Sequence, residues 1–331
     1  MPRKKICKIV IGSHLYGLAT ETSDRDYAGV YLPSARDILG LDVYPIELIE
    51  NEKTSEGPRN TSADIDCKYF SLRQFMRLAA EGQSAQLEML YAKPQHHVQP
   101  PDPHWQTLVD QRTLFLSRKT FVPFVRFALA QATKATLKGE NLKFIRELLS
   151  FIPTLPHSQM HEPIRSQIIL RDNDHYLGPV KVEISTNEFG AELLTLAHRR
   201  YDTGANLKRL YDSLKILESK YGTRSQSAAD KGLDYKSLSH AYRMIFEAEE
   251  MLSTGSLTLP LPDKTREFVK AIKLGVIPAG LNWETDIMQR VNYLEHVLAP
   301  KSNLPDSPDW EKIEELHAFI LRSQLGSDPF V

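Results

Sequence analysis

Up to about residue 92 the chain alternates short apolar runs at strand spacing with short apolar stripes at helical spacing. Strands are predicted over 6–11, 26–32 and 64–70, and helices near 14–19 and over 72–81 and 84–91. Ser71 reads as an N-cap with Gln74 at the capping-box position, Leu72, Phe75, Met76, Ala79 and Ala80 as a buried stripe, and Gly82 as the helix stop. The polar stretch NEKTSEGPRNTS reads as a surface loop, and Pro94 to Pro103, with His96 and His97 inside it, as a linker.

Beyond residue 115 helical spacing dominates. Phe121, Phe124, Val125, Phe127, Ala128 and Ala132 form one stripe. Residues 164–185 interrupt the pattern as a β-hairpin-like insertion around Asn173-Asp174, and helices are predicted to resume over 189–221. A later helix carries the stripe Leu238, Ala241, Tyr242, Ile245 and Leu252, with Lys236, His240, Arg243 and Glu247 along another face. The expected fold is α+β: a domain over 1–93, a linker over 94–115, and a mostly helical domain over 116–331.

Composition narrows the class. A chain of 331 residues with 41% hydrophobic content can hold about two cores. The net charge of −1 means that any nucleic acid must be met by a local cationic patch. Two cysteines, Cys7 and Cys67, argue against a disulfide framework and point to a reducing, cytoplasmic setting. Arg3, Lys4 and Lys5 precede only the short run Ile6–Ile11, so neither a leader peptide nor a membrane partner is expected. His157, His161 and Glu162 lie between Pro156 and Pro163 and read as a loop, not a metal site.

The chemistry concentrates in IGSHLYGLATETSDRDYAGVYLP. Asp24 and Asp26 are one residue apart, so in an extended strand both carboxylates share a face and can clamp the same divalent cations. Mg2+ takes few carboxylates together with phosphate oxygens and water, and ions on such a cluster can activate a hydroxyl and stabilise departing pyrophosphate. Gly12 allows close backbone approach to a phosphate, and Ser13 supplies a hydroxyl where a helix starts. Arg224 and Lys231, in a Gly- and Ser-bearing loop, could join such a site.

Gly12-Ser13, Tyr16-Gly17-Leu18, Ser23-Asp24-Arg25-Asp26 and Gly29-Val30 together resemble the signature of the DNA polymerase β-like nucleotidyltransferases, in the branch that includes an RNA-repair-associated group. His14 stands where many members have Arg. The resemblance implies a small mixed sheet with helices and Mg2+, or Mn2+, held by Asp24 and Asp26. It also implies a third carboxylate on the next core strand, with Asp66 placed best and Asp64 if the register differs. Gly82-Gln83-Ser84 replaces the family's Gly-Asn-Pro-type turn, and Glu88 either matches its Leu-Glu pair or is a surface carboxylate on the second helix. Lys236, His240 and Arg243 resemble a basic motif of the family's C-terminal part, which with Gly12, Ser13 and His14 would bind the nucleotide. The implied activity is transfer of a nucleoside monophosphate from an NTP to an acceptor hydroxyl, an RNA end (tRNA or RNA 3′ end) being favoured over a protein or small molecule. An inactive nucleic-acid-binding module on the same fold is the alternative.

Overall fold

A computed structural model describes residues 3–21, 23–40, 44–52, 65–196, 199–220 and 233–326, with only the backbone described at 51, 52, 65, 66, 137–140 and 220. The expected loop NEKTSEGPRNTS lies mostly outside the described residues, as do Asp64, Arg224 and Lys231. The chain divides into two compact units, one of residues 1–130 with 239–331 and one of 131–238.

The first unit is built on strands β1 (Lys4–Val10), β2 (Asp26–Leu32), β3 (Glu47–Glu52) and β4 (Ile65–Ser71), in the order β1-β2-β4-β3. β2 runs antiparallel to β1 and parallel to β4, while β3 closes the far edge antiparallel to β4. The mixed sheet follows from its connections. β1 turns back to β2 through one helical turn, α1 (Ser13–Tyr16), whereas the parallel β2–β4 pair requires a long crossover carrying α2 (Ala35–Leu39) and β3. Helix α3 (Leu72–Ala80) starts directly after β4, where the Ser71 hydroxyl accepts the Gln74 amide, and buries Leu72, Phe75, Met76, Ala79 and Ala80. Helix α4 (Ser84–Leu90) follows.

The stretch read as a linker carries structure. Val98 and Asp102 donate their amides to the carbonyls of Lys8 and Ile6, and α5 (Pro103–Asp110) buries Trp105 edge-on against Phe75. Pro103 marks the start of α5, because Pro at the first helical position gives up an amide that would have had no partner. In α6 (Phe121–Phe151) the predicted stripe is buried except Phe127, which is exposed; at 100° per residue it falls off the face shared by 121, 124, 125 and 128.

The second unit contains a five-stranded antiparallel meander: β5 (Ile168–Arg171), β6 (Asp174–Leu177), β7 (Val180–Thr186), β8 (Glu192–Leu196) and β9 (Arg199–Asp202). Asp172 and Asn173, both at positive φ, make the tight β5–β6 turn. The insertion is therefore a whole sheet, and the helix expected from 189 begins only at α7 (Leu207–Lys220). Glu192, Leu193, Leu194 and Leu196 favour helix locally, but pairing with β7 and burial of Leu194 and Leu196 against Leu148, Leu210 and Leu214 override that preference. Longer helices further along are α8 (Tyr235–Thr254), α9 (Asp263–Lys273), α10 (Trp283–Tyr293) and α11 (Trp310–Gly326). Among the described residues no helix is long and apolar enough to cross a membrane.

Candidate active site

The end of β2 carries the carboxylates. Asp26 is the first residue of the strand and Asp24 lies two residues before it, both exposed. Asp26 pairs in register with Asp66 on parallel β4, so positions 26 and 66 are neighbours on one face of the sheet at the same end. The side chain of Asp66 lies outside the described residues.

Gly12 faces this end. Its φ of 68° and ψ of −144° suit glycine, and a Cβ there would stand 3.8 Å from Asp26 Oδ2, in space that glycine leaves open before the carboxylate. The Ile11 amide donates to the Asp26 carbonyl at 2.9 Å, tying this turn to the strand end. After α1, Gly17 takes the left-handed conformation and the Leu18 amide returns to the Ser13 carbonyl at 2.8 Å. The Thr20 amide donates to Ser23 Oγ at 2.9 Å, and His14 Nε2 lies 3.4 Å from the Ser23 carbonyl, so His14 lines the path to Asp24. Gly29 has a separate role: the Tyr69 ring lies across it, where a Cβ would overlap.

Hard oxygen donors of this kind would suit Mg2+, and the absence of a Cβ at Gly12 leaves space before the Asp26 carboxylate. Among the described residues no three His, Cys, Asp or Glu side chains form a metal-holding group. The fit therefore rests on Asp24, Asp26 and the register of Asp66.

Arg243 departs from the expectation. It is buried, and its Nη1 donates to Glu88 Oε1 at 2.5 Å and to both Glu247 oxygens at 2.9 Å. Its guanidinium lies 3.8 Å from the centroid of the Tyr16 ring, and the Tyr16 hydroxyl donates to Glu88 Oε2 at 2.5 Å. A guanidinium enclosed by two carboxylates and a ring is committed to the core and does not meet a triphosphate. Glu88 is likewise no surface carboxylate. The sequence motifs did include Tyr16 and Glu88, but nothing in helical periodicity announces that Arg243 joins them.

Burial, opposed by Arg243, pushes the Glu247 carboxyl up to about 8. The folded protein then holds a proton that the unfolded chain releases near pH 4.5, so the stability that this group contributes is fully present below that value and is lost as pH rises through about 8. The slope contributed is at most about 1.4 kcal/mol per pH unit. Glu247→Gln, neutral throughout, is expected to flatten this dependence in urea unfolding followed across the interval; an unchanged slope would show that Glu247 is ionised in the fold.

The rest of the basic set lies one turn apart on one helix. Lys236 and His240 are half-buried on α8, and the division between the units falls between them. His96 is buried and its Nδ1 accepts the Lys93 amide, as a cap and not a metal ligand. His157 and His161 do share one short 3-10 turn, with ring centroids 5.7 Å apart. A feature without a sequence signal lies on α9, whose Lys273 Nζ donates to the Leu18 carbonyl at 2.6 Å.

Residues 4–157 match the model of the RNA repair pathway DNA polymerase beta family. An uncharacterised 38.9 kDa protein from the nrdC-mobD intergenic region of Enterobacteria phage T4 is 32% identical over 291 residues, covering 83% of this chain and 84% of its own length. No solved structure matches the chain.

Proposed function

Because the chain belongs to the RNA repair pathway DNA polymerase beta family, we propose that it transfers a nucleoside monophosphate from an NTP to an acceptor hydroxyl, an RNA end being favoured, with release of pyrophosphate. The observation that carries this reading is the in-register pairing of Asp26 with Asp66, two residues on from exposed Asp24. Asp24, Asp26 and Asp66 would hold Mg2+, or Mn2+. When bound, such ions neutralise the triphosphate and lower the pKa of the attacking hydroxyl.

The chain's own residues supply the remainder. Gly12 would let the backbone approach the phosphates, Ser13 would offer a hydroxyl beside them, and Asp66 would complete the carboxylate set nearest the attacking oxygen. His14 and His240 would contact the nucleotide. Arg243 serves the buried cluster with Glu88 and Glu247, and Lys236 belongs to the other unit. The RNA acceptor rests on the family's description.

Incubation with each labelled NTP, Mg2+ or Mn2+ and bulk RNA tests the proposal. Metal-dependent pyrophosphate release with label entering RNA is the expected result. RNA retention indifferent to EDTA, without turnover, would instead favour a binding module.

The third carboxylate has its own test. Asp66→Asn is expected to lose at least about a hundredfold in turnover, a few kcal/mol of transition-state stabilisation, and Asp64→Asn much less. Equal tolerance of both changes would place the third ligand on another element.

A further inference from the structure

Three consecutive residues at the exit of α1 are gripped by one distant segment. The Tyr16 carbonyl accepts the Leu261 amide at 3.2 Å. Gly17, at φ 73°, lies so close beneath Arg266 that a Cβ would sit 2.8 Å from Arg266 Cδ and 3.1 Å from Pro260 Cβ. The Leu18 carbonyl accepts Lys273 Nζ at 2.6 Å. Arg266 and Lys273 are two turns apart on α9 and share a face. Arg266 is fixed in turn, donating to Asp263 Oδ1 at 2.6 Å and to the Leu261 carbonyl at 3.3 Å.

What this grip holds is the start of the connection to Asp24. That connection is bounded at its far end by β2, and the Thr20–Ser23 hydrogen bonds brace it in between. At its near end a charge-assisted bond from an ammonium to a carbonyl is shorter and stronger than a neutral one. α9 lies wholly outside residues 4–157, the part of the chain that matches the family.

We propose that Lys273 is a positioning residue for nucleotidyl transfer: by holding the Leu18 carbonyl, it sets where Asp24 stands relative to Asp26. Arg266 assists by filling the space over Gly17 and seating α9. The proposal rests on Asp24 and Asp26 being the reacting carboxylates.

Lys273→Met keeps most of the aliphatic stem and removes the ammonium, whereas Lys273→Arg keeps the charge. The Met variant is expected to lose about 10- to 100-fold in kcat, the range for a misplacement of about 1 Å, with KM for the NTP within about twofold. The Arg variant should recover part of that loss. Hydrogen exchange in the full-length protein supplies a readout independent of turnover. Backbone amides in the peptide covering 18–21 should exchange at least about tenfold faster in the Met variant, reporting the freed end.

Unchanged exchange at 18–21 overturns the grip itself, and unchanged kcat overturns its role in transfer. A loss of kcat that Lys273→Arg shares in full, together with a lowered melting midpoint, also overturns it, since a purely structural contact gives that pattern. If the Met variant melts early, Lys273→Gln, which keeps a donor, is judged by the same two readouts. Should Asp24→Asn prove fully active, the transfer reading falls, while the exchange measurement still decides whether Lys273 holds the loop.

Discussion

Asp24→Asn and Asp26→Asn should each abolish nucleotidyl transfer and leave the melting midpoint unchanged or slightly raised. Each substitution keeps side-chain shape and removes one negative charge from an oxygen that would hold the metal. Loss of such a ligand removes several kcal/mol of transition-state charge stabilisation, so about 4 kcal/mol, or three orders of magnitude in turnover, is the expected scale. Both side chains are exposed, and substitutions at exposed positions usually change stability by about 0.5 kcal/mol or less. Relief of repulsion between two neighbouring carboxylates adds in the stabilising direction. Steady-state transfer assays paired with thermal melts give the answer, and near wild-type turnover in either variant would remove the metal assignment.

Arg243→Ala should show the opposite signature, a large stability loss from a residue first read as a substrate contact. The substitution leaves Glu88 and Glu247 facing each other in the core with no cation between them, and removes the group that packs on Tyr16. Breaking one side of a buried ion pair typically costs about 3–5 kcal/mol. The intact cluster contributes much less than that, because Arg243 Nε has no hydrogen-bond partner among the described residues and both carboxylates compete for one guanidinium. Urea unfolding should therefore show a sharply lowered midpoint for Arg243→Ala and a mild change for Glu247→Gln. A fully stable Arg243→Ala protein that had lost only transfer would restore the phosphate-facing role.

The elements legible in the sequence are those fixed by local chemistry. β2, β4 and α3 stand out because an apolar run, an alternation and a serine-capped helical stripe, in that order, act within a few residues. β3 does not: as an edge strand it pairs on one side only and carries Glu47 and Glu50, with Ile49 68% exposed, a composition that resembles a loop. β8 and β9 are hidden by helix-favouring residues that only the neighbouring strand turns extended. The Asp-x-Asp pair is legible as a candidate site only with its flanking Gly-Ser and Gly-Val pattern, because alone it reads as a solvated loop. The place of Arg243 is not legible, because periodicity assigns a charged residue to a polar face and is blind to a carboxylate 155 residues away. Lys273 was invisible for the same reason, since its partner is a backbone carbonyl that no sequence pattern marks.

The discontinuity of the first unit bears on how the gene can be cut. A recombinant polypeptide ending at residue 157 would retain the whole family-matched stretch and every aspartate of the candidate centre. It would lack Arg243, leaving Glu88 with no buried cation, and it would lack α9, leaving Leu18 untethered. It would also sever α6 from the sheet that covers Ile145, Leu148 and Ile152. Such a fragment would keep the family's signature without the packing around the candidate centre, so chimaeras or crystallisation fragments must carry residues from both ends of the chain together.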